Sequence, residues 1–285
     1  MKKIFFLIAM AGMMMAVISC GDDEPRRGDG VFTVNTSMIN HIANLNNGEV
    51  LGMSSTRNKL TLDTIKHTAS VELSYHDGSS VKTVSLNGIT AKAKRMGFYV
   101  LTAPQNDQVK DFSGYVDFNE SSIRYHYTTN DGFRIISTIT DVFFLKTTNT
   151  ISYDDTTKTT VMENTMYQFT LNPDNKTAIV KVMGILHAKD WKYFMNITGN
   201  SVPVIVTRNG YTIAGENIKT NATYRAHRDS TNVNPPAYQN TDKYPFKTFN
   251  ATVDLENDTI IANYMMGSSA TVEANGRTYP DYTAY

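Results

Sequence analysis

The 285-residue chain contains a single cysteine, Cys20, so no disulfide can form within it and no thiol pair is present for zinc or redox chemistry. Tryptophan is as scarce, with Trp191 alone. Neither sign of charge is in excess, since 27 Lys and Arg face 27 Asp and Glu; no basic field marks a nucleic-acid partner. The one long apolar run, Ile4 to Ala16, is shorter than the roughly twenty residues a membrane-spanning helix needs. Gly-x-Ser-x-Gly, His-Glu-x-x-His and Gly-rich phosphate-loop patterns are all missing, and with them the usual marks of a nucleophile elbow, a zinc protease or a nucleotide site. The six histidines, His41, His67, His76, His126, His187 and His227, stand singly rather than at ligand spacing. His76 and His126 are the one pair that strand pairing could bring together. No catalytic residue, metal or cofactor is expected from these patterns.

What is present begins at the N-terminus. Lys2 and Lys3 precede the apolar run, which has the length of a signal-peptide core. Val17, Ile18, Ser19 and Cys20 then resemble a bacterial lipobox. That resemblance implies cleavage after Ser19, a signal peptide at 1–19, and acylation of Cys20, whose acyl chains would anchor the chain through lipid alone. The following Gly21, Asp22, Asp23 and Glu24 are similar to the acidic export signal of Bacteroidetes lipoproteins, which implies an outer-membrane, cell-surface location. Residues 20–30, with Pro25, Gly28 and Gly30, read as a tether. Removing Lys2 and Lys3 leaves 25 basic against 27 acidic side chains, a balance of −2.

The body of the chain has the period of strands. Val71, Leu73 and Tyr75 alternate with Glu72, Ser74 and His76, a turn follows at His76 to Ser79, and Val84 and Leu86 resume the alternation. Tyr167, Phe169 and Leu171 lead through Asn172 to Asn175 into Ala178, Val180 and Val182 in the same way. Val116 and Phe118 turn through Asn119 to Ser122 into Ile123, Tyr125 and Tyr127. Asn46, Asn47 and Gly48 suit a hairpin turn, while Met38, Ile42 and Leu45 also fit one face of a short helix starting at Ser37. No sustained helical period appears, so an all-β chain is expected.

Three blocks recur in order. Val50 to Thr68 falls on Val142 to Thr160 at an offset of 92, Val71 to Leu101 on Tyr167 to Ile197 at 96, and Phe112 to Tyr127 on Phe249 to Tyr264 at 137. The pattern predicts a tandem repeat with units near Val50 to Asp141 and Val142 to Thr278, and about 41 extra residues between Thr198 and Phe249. Two tandem β-sandwich domains of immunoglobulin-like or transthyretin-like kind are expected, at 31–141 and 142–285, with a loop insertion at about 199–245. Small meander β-barrels are the alternative. Gly88 and Gly184 should mark bulges, Phe98, Phe194, Phe112 and Phe249 should be core, and Trp191 should lie in the core or at a domain interface. Asp117 and Asp254, each just before a hairpin turn, should cap those turns rather than catalyse.

For function, the aromatic supply around the insertion, Tyr211, Tyr224, Tyr238 and Tyr244, suggests rings that stack on a glycan or fill a pocket on a surface protein. A non-enzymatic binding module is the leading expectation. The second is a pilus subunit that resembles the fimbrillins, matured by an arginine-specific cut at Arg26, Arg27 or Arg57; the third is a hydrolase without a recognisable motif. Asp63-Thr64, Asp155-Thr156, Asp229-Ser230 and Asp258-Thr259 resemble the Bacteroidetes O-glycosylation acceptor, which implies Thr64, Thr156, Ser230 and Thr259 as modified residues.

Overall fold

The computed structural model describes residues 30–153, 156–172, 176–186, 193–226, 245–257, 259–267 and 270–278. Within them every regular element is a strand. The first eight are β1 (Val31–Asn44), β2 (Glu49–Asp63), β3 (Thr68–His76), β4 (Val81–Arg95), β5 (Phe98–Ala103), β6 (Val109–Asp117), β7 (Ser122–Thr129) and β8 (Phe133–Thr138). Each pairs antiparallel with the next, and β1 returns to β8, with Asn40 opposite Ser137. The result is a closed meander barrel.

The second half follows as β9 (Asp141–Tyr153), β10 (Thr156–Asn172), β11 (Thr177–Leu186), β12 (Tyr193–Thr207), β13 (Gly210–Ile218), β14 (Thr220–Ala226), β15 (Phe246–Asp254), β16 (Thr259–Met266) and β17 (Ala270–Thr278). β17 returns to β9, with Ala274 opposite Thr147, and β11 pairs with β12, so this sheet closes too. β14 continues β13 along the same side of β12 after a kink at Lys219, and eight positions go round the ring. The two units are therefore the barrels of the alternative expectation, not sandwiches. Alternation of apolar and polar residues is common to both architectures, because each has one buried and one wet sheet face. What separates them is that every strand here but β14, which lies beside β12, pairs with a sequence neighbour round the ring, and an even count of positions lets the last strand meet the first antiparallel.

Both interiors are filled. Leu60, Val71, Leu86, Ile89, Leu101, Phe112 and Ile135 pack inside the first barrel; Phe143, Tyr167, Phe169, Val180, Ile213, Phe249 and Val272 pack inside the second. This is what an eight-stranded ring has room for. Outward positions are mostly polar, with Val161, Ile205 and Ile261 the more exposed exceptions on the second barrel: on β2 and β3 the buried pair Leu60–Val71 alternates with the surface pair Lys59–Glu72, whose charges lie 3.7 Å apart. Apolar inside and polar outside is the reverse of a membrane-spanning barrel.

The strand pairing corrects the predicted repeat. Phe98 opposite Asp117 recurs as Gly210 opposite Asp254, and Arg95 opposite Phe98 recurs as Thr207 opposite Gly210. Thus β5 matches β13 at an offset of 112, and β6 to β8 match β15 to β17 at 137, the offset expected for that block. The 92 and 96 blocks instead lay β2 on β9, β3 on β10 and β4 on β11, one strand out of step; the first barrel begins at β1, not at Val50. From 137 and 112, the second barrel carries 25 extra residues between β13 and β15, not 41.

Gly88 and Gly184 both sit at bulges with positive φ, 67° and 83°, where a side chain would be strained. They lie on non-equivalent strands, however, and face a preceding and a following neighbour respectively. Residues 38–45 are strand rather than helix up to Asn44, and a four-residue turn at 45–48 follows. Phe98, Phe112 and Phe249 are buried as expected; Trp191 and the Phe194 side chain lie outside the described residues.

Candidate functional site

The densest polar chemistry lies where the barrels meet. β7 and the second half of β1 are buried on both faces, because their outer sides pack against the second barrel. Ile39 and Ile136 join that barrel's core, and Phe98 and Tyr115 pack with Val142. Asp141, the first residue of β9, is fully buried between the two units. Its Oδ2 accepts a hydrogen bond from Tyr211 Oη at 2.5 Å, its Oδ1 accepts one from Thr138 Oγ1 at 2.9 Å, and Arg124 Nη1 lies 3.7 Å from Oδ1. Thr138 and Arg124 belong to the first barrel, Tyr211 to the second. Ser122 Oγ donates to the Thr140 carbonyl at 2.6 Å and sits 3.3 Å from Tyr115 Oη.

Burial dominates the electrostatics. It drives the Tyr115 hydroxyl up to about 12, an effect opposed by Arg124 and reinforced by Asp141, and it holds Tyr211 well above the ordinary tyrosine value, with Asp141 adding to the rise. Both stay neutral donors. Around the rim, Arg134 Nη1 meets Glu256 Oε1 at 2.8 Å, Gln168 Nε2 donates to Glu120 Oε2 at 2.9 Å, and His41 Nε2 meets the Thr207 carbonyl at 3.0 Å. His126, in the same face, is pushed down to about 3 by burial and by Arg124 and Arg134. The central groups of the junction, Asp141, Arg124, Ser122 and Tyr211, are closed off from solvent.

A second polar layer repeats inside each barrel. The β2–β3 ladder ends at Lys59–Glu72, and beyond it side chains replace the backbone pairing. Ser74 N–H donates to Asn58 Oδ1 at 2.6 Å, and the Ser74 carbonyl accepts from Asn40 Nδ2 at 3.1 Å and from Thr56 Oγ1. The β10–β11 ladder ends at Met166–Met183, and there Thr147, Asn149 and Thr165 are buried. Ser54 Oγ, Asn58 Nδ2, Tyr127 Oη and Thr165 Oγ1 have no protein partner in hydrogen-bond geometry; buried groups of this kind are commonly met by water.

The expected site residues fall in different places. Tyr211, read as ligand-facing, is 1% exposed and bonded to Asp141; its signal was the alternation with Ile213, which puts both on the buried face of β13. Tyr224 lies on β14, with its side chain outside the described residues, as are Tyr238, Tyr244 and Cys20. Thr64 is buried, and its Oγ1 accepts from Gly30 N–H at 2.9 Å and donates to the Gly30 carbonyl at 3.1 Å, which leaves no room for a sugar there in the folded chain. Thr259 is half-buried on β16, the Thr156 side chain is outside the described residues, and so is Ser230. His76 Nδ1 accepts from Gly78 N–H at the end of β3, whereas His126 faces the second barrel, so the two do not converge. Among the described residues no three His, Cys, Asp or Glu side chains gather as metal ligands.

Asp117 and Asp254 do cap their turns. Asp117 Oδ1 accepts from Asn119 N–H at 2.9 Å, and Asp254 Oδ1 accepts from the N–H groups of Glu256 at 2.9 Å and Asn257 at 3.0 Å. The junction acid, Asp141, escaped sequence reasoning because it sits in no motif; an aspartate opening an apolar strand, Asp141-Val142-Phe143-Phe144-Leu145, was the available signal. No family model and no curated protein matches this chain.

Proposed function

We propose that the protein is a lipid-anchored module on the outer surface of the outer membrane that binds a glycan or protein ligand and catalyses no reaction. The filled barrel interiors support this by directing recognition to outer surfaces. The observation that carries the reading is where the strands on either side of the extra residues, β14 and β15, end and begin. The end of β12, the start of β9 and the turn at 255–257 touch the first barrel through Thr207, Asp141 and Glu256, so β14 ends, and β15 begins, at the opposite pole of the second barrel. Ala226 and Phe246, the described residues on either side of the insertion, thus belong to a rigid scaffold at the pole farthest from the first barrel. Closed rings do not favour strand donation of the pilus kind, which needs an open sheet edge.

The test is a glycan array read with the mature chain and with a variant in which residues 228–243 are replaced by a short Gly-Ser bridge. β14 must stay, because Ala222 is core. Loss of the signal with unchanged thermal unfolding is expected; a signal that persists in the shortened variant rules the reading out.

A further inference from the structure

The two poles of the first barrel differ in chemistry. The chain enters at Gly30, which is bonded through both N–H and C=O to Thr64 in the β2–β3 turn. At this pole the turn tips carry large apolar side chains: Ile65 is 64% exposed and Met96 85%. Val31, beside them, is half exposed. The tips are held rather than loose, since Asn119 Nδ2 donates to the Met96 carbonyl and Phe118 N–H to the Gly97 carbonyl, both at 2.9 Å. Beneath them Phe32, Phe118 and Tyr99 close the barrel, with ring centroids 5.5 Å and 6.3 Å apart. Lys66, Lys92 and Lys94 are exposed on the same pole. Of its turn acids, Asp63 lies 3.6 Å from Lys66, Asp117 is buried against Arg95 at 2.8 Å, and Glu120 is turned to Gln168 of the second barrel, so Lys92 and Lys94 add to the positive charge of the pole.

The turns of the opposite pole are made of Asn, Asp, Ser and Gly, among them Asp77, Asp107 and Asp131; its exposed apolar side chains are Leu45 and, at the start of β4, Val81, beside which Lys82 pairs with Asp77 at 3.4 Å. Exposed Ile and Met at turn tips have no folding reason to sit where Asn, Asp and Gly are favoured.

We propose that the pole at which the chain enters rests on the membrane surface, Ile65 and Met96 dipping into the headgroup layer and Lys92 and Lys94 meeting anionic lipid. This rests on the lipid-anchor reading above. Ten residues, Cys20 to Asp29, separate the anchor from Gly30, and a fully extended chain of that length spans at most about 35 Å. An anchor at Cys20 therefore keeps this pole, and not the acidic one, at high local concentration next to the bilayer, where contacts too weak to bind a free protein become occupied.

The experiment separates the surface from the anchor. The mature chain with Cys20→Ser and an N-terminal hexahistidine is held on vesicles of zwitterionic and anionic phospholipid containing a nickel-chelating lipid. An environment-sensitive fluorophore is placed by Ile65→Cys, Met96→Cys or, at the acidic pole, Asp107→Cys. Brominated acyl chains should quench the labels at 65 and 96 roughly threefold more than the label at 107, as for side chains a few ångströms into the interface. Equal quenching at all three positions overturns the proposal. The mass of the chain extracted from its native membrane decides acylation of Cys20 independently, so either idea can fail while the other stands.

Discussion

The β6–β7 hairpin and the β15–β16 hairpin are one object built twice down to the capping residue of the turn, whereas β2–β3 and β10–β11 share a register, at an offset of 109, but not the turn residues. In the first comparison the registers coincide pair for pair, Phe112–Tyr127 with Phe249–Tyr264 and Asp117–Ser122 with Asp254–Thr259, and each turn hangs on an aspartate. In the second the registers coincide as well, Asp63–Thr68 with Asn172–Thr177 and Leu60–Val71 with Phe169–Val180, but Asp63, which accepts from the Ile65 and Lys66 N–H groups, has Asn172 in its place. A repeated strand is specified by its alternation alone and tolerates change in every side chain. A repeated turn with a capping carboxylate is specified atom by atom.

The largest effect should come from the place where the halves are joined and no repeat exists. Asp141→Ala leaves Arg124 buried against a missing acid and removes the acceptor for Tyr211 and Thr138; loss of about 3–5 kcal/mol is expected. Tyr211→Phe, which keeps the charges and the ring, should cost about 1–3 kcal/mol. Urea unfolding followed by tyrosine fluorescence and by far-UV circular dichroism reads both. If the two barrels depend on this junction, Asp141→Ala also splits one transition into two. A variant as stable as the parent would mean that Asp141 is not what ties them.

That all-β character was legible, and where legibility stopped, both follow from the same physics. Alternating Val71, Leu73, Tyr75 and Tyr167, Phe169, Leu171 announce strands with one buried face, and Asp117 and Asp254 announce turns. Nothing in alternation says whether the strands split into two sheets or close into one ring, because a barrel interior and a sandwich interior ask for the same residues. The one-strand slip in the repeat has the same origin: in a meander every strand resembles its neighbour, so Val71 to Leu101 matches Tyr167 to Ile197 by phase although Gly88 and Gly184 sit on strands that run in opposite directions. Asp141 and Tyr211 became a pair only through a 70-residue separation that no local pattern encodes.

The matched caps should differ in strength. Asp117 is fully buried, accepts from the Asn119 N–H and pairs with Arg95 Nη2 at 2.8 Å; Asp254 is half-buried and is served by Asn257 and Glu256 near solvent. Asp117→Ala should therefore cost about 2–3 kcal/mol and Asp254→Ala about 1 kcal/mol, since water can replace the lost acceptor only at the second turn. For Asp254, burial raises the carboxyl but the hydrogen bonds from Asn257 and Glu256 outweigh it, so its value is lowered overall. Its contribution is then present above the unfolded carboxylate range near pH 4 and fades as the pH falls through the lowered folded value. Equal losses from the two substitutions would show that burial does not distinguish the turns.

The finest comparison is between Tyr127 and Tyr264, which occupy equivalent positions on β7 and β16 at the 137-residue offset. Both are buried, and burial raises both hydroxyls, with Tyr167 adding to the rise at Tyr264. Tyr264 Oη lies 3.4 Å from Tyr167 Oη, which in turn meets Thr147 Oγ1 at 3.2 Å, so it belongs to a chain of hydroxyls. Tyr127 Oη is near enough to Ser137 to feel it but falls outside hydrogen-bond geometry, and Ser137 Oγ donates to Asn40 Oδ1 at 2.6 Å. Removing a bonded buried hydroxyl leaves its partner stranded, while removing an unbonded one relieves a desolvated group. Tyr264→Phe should thus cost about 1 kcal/mol, and Tyr127→Phe should fall within about 0.5 kcal/mol of the parent, on either side of zero. If the two substitutions cost the same, the polar layer of the first barrel is bonded as completely as that of the second, and the seams are equivalent in energy as well as in position.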